Sequence, residues 1–173
     1  MSRSWLTLFL CVFIVGGPAS LLAKTKASPT PSSRVAVPAP EFLWSSITGK
    51  VRRLRDLRGQ PVVLVFATTP QQKIFAKQVK EITKRYKQLA AWNALFFVAF
   101  TRETGIITNS NVPFVVLPDP GTVADEYRVG DFGIAVIGPD GNLDYATDRV
   151  ITGQKILDVI TNNYSVQASE RRQ

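Results

Sequence analysis

Residues 61 to 89 constrain the fold more than any other stretch, because they join a buried strand to a long amphipathic helix through one turn. Val62 to Phe66 is an unbroken apolar run rich in β-branched residues, which predicts a strand covered on both faces. Further along, apolar side chains recur at the spacing of one helix face: Phe75, Val79, Ile82, Tyr86 and Leu89. The stretch therefore predicts the nucleus of an α/β domain.

The opposite face of the same helix is basic. Its lysines recur at the same helical spacing: Lys73, Lys77, Lys80, Lys84 and Lys87. Such a stripe is a candidate contact for an anionic partner. A solvated face that keeps the protein soluble is the alternative, and it is the commoner use of a charged helix surface.

The turn between the strand and the helix is the candidate site. We predict that Pro70 lies in the first turn of the helix and that Thr68 or Thr69 caps it. Because helix N-termini attract anions, a small anion or a carboxylate is a candidate ligand beside Lys73; simple capping is the alternative.

The amino-acid content excludes several kinds of chemistry. The chain has no histidine, which removes imidazole catalysis and His-ligated metal sites. Its single cysteine, Cys11, lies in the N-terminal apolar run. If that segment is cleaved, the mature protein has no thiolate, no disulfide and no Cys-ligated metal. We therefore expect no metal and no cofactor.

Charge is distributed unevenly along the chain. The net charge is +8, and between Lys50 and Lys87 eleven basic residues face only Asp56 and Glu81. From Thr101 to Ile160 the balance reverses, with nine acidic residues against four basic ones. We expect a dipolar molecule whose basic side is a candidate contact for an anionic partner; a solvated, lysine-rich helix face is the commoner alternative.

The N-terminus resembles an export signal. Arg3 precedes an apolar run from Trp5 to Val15, and small residues lead to a cleavage point near Ala23. We therefore predict a signal peptide over residues 1 to 23 and an exported protein, periplasmic or extracellular. The alternative is a membrane anchor over residues 5 to 23, which approaches the roughly 20 apolar residues that span a bilayer.

The remaining chain divides into a linker, a domain and a tail. Residues 24 to 40 are rich in proline and serine and are predicted to be an extended linker. We place the folded domain at residues 41 to 164 and a disordered tail at 165 to 173. Within the domain we predict a strand pair, a β-α-β unit ending in Leu95 to Phe100, a hairpin turning at Pro139 to Asn142, and a final helix from Gln154 to Asn162.

Four phrases in this order resemble the redoxin families, namely the exported thiol–disulfide oxidoreductases and the peroxiredoxins. The phrases are Ala39 to Phe42 with Thr48 to Lys50, Asp56 to Thr68, Leu117 to Val129, and Ile137 to Leu143. The resemblance covers residues 39 to 164. It implies an α/β, thioredoxin-like fold: a central mixed sheet flanked by helices, here with an N-terminal strand pair.

The residues of the family's active site are not matched. The resemblance places its two cysteines at Pro70 and Lys73, and its cis-proline, counted back from the Pro139 turn, at Phe132. It also implies that Asp131, next to that proline position, faces the site, where Lys73 is a candidate partner for an ion pair. Disulfide exchange needs sulfur in both the attacking and the attacked group. The site positions Thr68, Thr69, Pro70, Lys73 and Phe132 are therefore interpreted as a degenerate active site.

These patterns favour an exported thioredoxin-fold protein that acts as a binding, scaffold or accessory module without thiol chemistry. A protein or peptide is the expected partner, since the fold's groove accepts extended peptide. The alternative is an atypical redoxin oxidoreductase, or an antioxidant accessory that works through a partner's thiols. A third interpretation is binding to an anionic membrane surface through the basic helix; nucleic acid is disfavoured, because no aromatic residues alternate with the basic ones.

Overall fold

The computed structural model describes residues 36 to 46, 48 to 107 and 110 to 170, with side chains up to residue 162. The predicted leader and the first part of the linker lie outside these residues. The elements are β1 (Leu43–Ser45), β2 (Val51–Arg53), a 3-10 turn (Leu54–Leu57), β3 (Val62–Ala67), α1 (Lys73–Ala91), β4 (Leu95–Phe100), β5 (Phe114–Val116), α2 (Pro120–Glu126), β6 (Phe132–Ile137), β7 (Leu143–Thr147) and α3 (Gly153–Glu170).

A five-stranded mixed sheet has the order β5-β4-β3-β6-β7. Strands β3, β4 and β5 run parallel, while β6 is antiparallel to β3 and β7 antiparallel to β6. Strands β1 and β2 form a separate antiparallel pair. This confirms the predicted fold class: a thioredoxin-like mixed sheet flanked by helices, with an N-terminal strand pair.

Strand β3 is buried along its whole length, as its apolar run predicts. Because side chains alternate across a strand, Val63 and Val65 pack on one face of the sheet with α1 and α3. On the other face Leu64 and Phe66 join a second cluster, which contains the start of the domain, the 3-10 turn and α2. The strand therefore belongs to two hydrophobic cores at once.

The domain begins earlier than residue 41, within the segment predicted to be a linker. Pro38 forms an antiparallel bridge with Asn142. The Ala39 N–H donates to the Gly141 carbonyl at 3.0 Å, and the Leu143 N–H donates to the Val37 carbonyl at 2.8 Å. A proline can lie on the edge of a sheet with no ladder bond at its nitrogen, so proline content alone misplaced this boundary.

The C-terminal helix continues beyond the predicted end at Asn162. Helix α3 runs to Glu170, so residues 165 to 170 are helical where we predicted a disordered tail; residues 171 to 173 lie outside the described part. The residues after Asn162 contain no glycine or proline to end the helix. None of the helices within the described ranges combines the length and apolarity needed to cross a membrane.

Helices α1 and α3 approach closely at Gly153. A Cβ atom at this position would lie 2.3 Å from the Glu81 carbonyl oxygen, which is closer than any side chain tolerates. Beside this contact the side chain of Gln78 is fully buried. Its Nε2 donates to the Ile151 carbonyl at 3.1 Å, and its Oε1 accepts from the Ile151 N–H at 2.9 Å. A single amide thus holds the chain that leads into α3.

Replacing Gln78 with methionine keeps the length of the side chain and removes both hydrogen bonds. We expect Gln78→Met to lower the free energy of unfolding by about 1 to 3 kcal/mol, because buried backbone groups lose their partners. Gln88→Met is the matched control, since Gln88 is exposed on the same helix, and should change stability by about 0.5 kcal/mol or less. Equal losses in denaturant titrations of both variants would contradict the role of Gln78.

Tyr127 connects α2 to the start of the domain. Its hydroxyl donates to the Pro40 carbonyl at 3.0 Å, and its ring packs against Phe66 with centroids 5.3 Å apart. Burial raises the pKa of Tyr127 above its ordinary value of 10.0, and the charges of Glu126 and Glu41 raise it further. The folded protein therefore keeps this proton at a pH where the unfolded chain loses it.

Stability should consequently fall with pH above about 10, where an unfolded-state tyrosine ionises. Tyr127→Phe should lower the free energy of unfolding by about 0.5 to 1.5 kcal/mol near neutral pH, because it loses the bond to Pro40. The variant should lose less stability than the wild type between about pH 8 and pH 11. Denaturant titrations across that range measure the free energy of unfolding of both proteins. If the difference between wild type and variant stays constant with pH, ionisation of Tyr127 does not contribute to the pH dependence.

Candidate functional site

The turn between β3 and α1 is longer than predicted. Helix α1 starts at Lys73, and Gln72 precedes it as the N-cap with no side-chain capping bond. Pro70 therefore lies before the helix, and neither Thr68 nor Thr69 caps it, which corrects both predictions. The Gln72 N–H donates to the Thr69 carbonyl at 3.2 Å, so residues 69 to 72 form a separate turn.

The side chain of Gln72 bridges the two sides of the site through hydrogen bonds. Its Oε1 accepts from the Thr68 N–H at 3.0 Å, and its Nε2 donates to the Asp131 carbonyl at 3.1 Å. An amide has both a donor and an acceptor, so one side chain joins the end of β3 to the residue before β6. The N–H that an anion would need at Thr68 is already occupied.

A second contact crosses the same site. Arg102 donates from its guanidinium to Oδ1 of Asp131 at 2.9 Å, and its N–H donates to the Thr68 carbonyl at 3.1 Å. The predicted pair between Lys73 and Asp131 was therefore wrong, because the segment after β4 brings an arginine to this carboxylate instead. Both side chains are about 70% exposed, so the ion pair contributes little, about 1 kcal/mol or less.

Phe132 stands at the start of β6, where the resemblance expects the family's cis-proline. It pairs in register with Ala67, the last residue of β3, and its ring is buried in the core beneath α1. The described residues contain no cis peptide bond. At this position the chain presents an apolar packing residue.

The arrangement offers hydrogen bonding and charge but no thiol. Pro70 and Lys73 occupy the positions that the resemblance assigns to cysteines, and Lys73 is exposed. The chain has no histidine to act as a base for the threonine hydroxyls. In the described ranges, no three side chains of the metal-ligating types His, Cys, Asp and Glu lie close enough to hold an ion.

The basic helix face has the predicted arrangement, with all five lysines from Lys73 to Lys87 exposed and the apolar stripe turned inward. Lys84 pairs with Glu81. The prediction of one basic side from Lys50 to Lys87 was wrong, however. The 3-10 turn packs Leu54 and Leu57 into the core on the face of the sheet opposite to α1, so the exposed arginines of this segment lie on the other side of the sheet from the lysines of α1.

Sequence reasoning missed a groove of about 500 Å³ along α1. Phe75 and Val79 form its floor, Ile106 and Ile107 its outer wall, and Lys80 its rim. The outer wall belongs to the segment after β4, which lies over the turn: a Cβ at Gly105 would be 3.1 Å from Cγ of Pro70. The signal in the sequence was the pair of isoleucines in an otherwise polar stretch.

Solved structures similar to this chain include a thioredoxin, a peroxidoxin and a disulfide oxidoreductase. The chain is 20% identical to the pneumococcal exposed lipoprotein thioredoxin Etrx1 of Streptococcus pneumoniae, with a TM-score of 0.55 over 71% of this chain and 99% of that one. It is 20% identical to the peroxidoxin BcpB of Mycobacterium tuberculosis, with a TM-score of 0.56 over 73% and 96%. A secreted M. tuberculosis disulfide oxidoreductase homologous to E. coli DsbE shares 16% identity, with a TM-score of 0.54 over 70% and 95%.

At these identities the structural similarity shows the fold alone. No curated protein sequence matches the chain significantly. The profile of the AhpC/TSA family matches residues 35 to 146. These residues include β1 to β6, the turn between β3 and α1, and the hairpin turn between β6 and β7. The chain therefore belongs to the AhpC/TSA family.

Proposed function

We propose that this protein is an exported member of the family that binds a protein or peptide partner and carries out no thiol chemistry. The observation that carries the proposal is the content of the site. Pro70 and Lys73 replace the two sulfurs, and Gln72 occupies the polar groups around them. A site without sulfur cannot form the mixed disulfide through which exchange proceeds.

The polar groups of the site support a structural role for the turn. The Thr68 N–H, the Asp131 carbonyl and the Asp131 carboxylate each have a partner within the chain. Binding a substrate there would compete with these contacts, of which the one at the Thr68 N–H is part-buried and the two at Asp131 are exposed. Surfaces beside the turn are the more favourable places for a partner.

Export is supported by the N-terminal pattern and by similar structures that include an exposed lipoprotein and a secreted oxidoreductase. No metal or cofactor is part of the proposal. Membrane binding through a single basic surface is disfavoured, because α1 and the arginine-bearing 3-10 turn pack their apolar residues on opposite faces of the sheet.

Thiol assays test the proposal on the full chain. We expect no reduction of insulin and no consumption of peroxide above background, because the described domain supplies no thiolate. Cys11→Ser is the matched variant, since it removes the only sulfhydryl of the sequence. A member of the family that has the active-site cysteines serves as the positive control.

Turnover by the Cys11→Ser protein would overturn the proposal, since the activity would then come from groups other than thiols. Turnover that appears only after a dithiol-containing partner is added would favour the alternative, an accessory acting through partner thiols.

A further inference from the structure

We propose that the groove along α1 is a docking site for an acidic peptide segment that inserts an apolar side chain. The inference rests on the proposed binding function and names the class of partner. Pro70 and Gln71 of the turn line the groove, whereas the residues joined by the Gln72 contacts, namely Thr68, Gln72 and Asp131, are not among its lining residues. A ligand can therefore occupy the groove while the turn stays closed.

The groove has the size and lining of a specific site. Its volume of about 500 Å³ is within the range of about 300 to 1,000 Å³ typical of ligand pockets. Phe75 and Val79 provide an apolar floor, and Ala76 leaves room above it because it has no side chain beyond Cβ. At the lip, Ile106 is 84% exposed, so its apolar surface is available to a bound side chain.

The charge around the groove fits an anionic segment. Lys80 and Lys84 line it, and the stripe from Lys73 to Lys87 extends over about 21 Å at 1.5 Å per residue. Glu81 is the one acidic residue of α1, and it is already paired with Lys84. Lys80 forms no ion pair within the described residues.

A peptide fits these observations better than other anions do. A membrane surface is flat and does not enter a recessed groove, and an acyl carboxylate carries one charge against a stripe of five lysines. Single-stranded nucleic acid is held partly by stacking on exposed aromatic rings, and the exposed side chains of the stripe include none. A peptide supplies both distributed carboxylates and an apolar anchor.

Fluorescence polarisation on the full chain tests the proposal. The probe is a labelled library of short peptides in which Glu and Asp alternate with randomised positions, and the library is screened for binders. The comparison peptide has the same acidic residues and carries serine at every randomised position. We expect binders enriched in Leu, Ile, Phe or Met. The serine scaffold should bind at least about tenfold more weakly, which corresponds to about 1.4 kcal/mol.

Two variants locate the site, and two matched variants serve as controls. Ala76→Trp fills the groove and should weaken binding at least about tenfold, whereas Ala146→Trp, on the exposed face of β7, should not. Lys80→Gln should weaken binding and reduce its salt dependence. Arg149→Gln removes the same charge from an exposed position outside α1 and should leave binding unchanged. Circular dichroism and thermal melting check that each variant folds.

Several results would overturn the proposal. Equal binding of the serine scaffold would show that charge alone acts, and unchanged binding by a folded Ala76→Trp protein would place the contact elsewhere. Binding to anionic vesicles with no peptide binder would replace the peptide with a membrane. A library without binders would reject the groove as a peptide site. It would not affect the proposal that the protein carries out no thiol chemistry, because the insulin and peroxide assays test that proposal separately.

Discussion

Burial of β3 on both of its faces is the constraint on which the rest of the structure depends. The strand pairs with β4 on one side and β6 on the other, so its six residues satisfy their backbone groups and contribute to two cores at once. Everything at the candidate site is positioned by where this strand ends. The turn that follows Ala67, the segment after β4 and the residue before β6 meet there because the three strands are neighbours.

At that meeting point the chain has the family's architecture, but the residues present are not those of the family's active site. Pro70 and Lys73 stand where the resemblance expects sulfur, and Phe132 packs in the core where it expects a proline. Gln72 and Arg102 make the polar contacts beside these positions. The recognition that we propose takes place on the flank of α1, where an apolar groove and a lysine stripe lie side by side.

The sequence predicted the parts of the fold that local patterns determine. The strand at Val62, the inward stripe of α1 and the hairpin at Gly141 follow from periodicity and turn chemistry. The start of α1 did not, because Gln72 bonds to Asp131, 59 residues away, and no local propensity encodes that contact. The partner of Asp131 was missed for the same reason. The groove depends on how the segment around Ile106 packs against α1. This is a tertiary contact, and the sequence indicates it only through two isoleucines in a polar stretch.

The Gln72 amide also bears on what it would take to engineer thiol exchange into this site. A cysteine placed at Pro70 alone, or at Lys73 alone, would supply half of a dithiol beside a turn that two hydrogen bonds of Gln72 already hold. A proline introduced at Phe132 would remove a ring that is part of the core. Each single substitution would therefore carry a packing or hydrogen-bonding cost without completing a dithiol, so the turn and the core around Phe132 would have to be redesigned together.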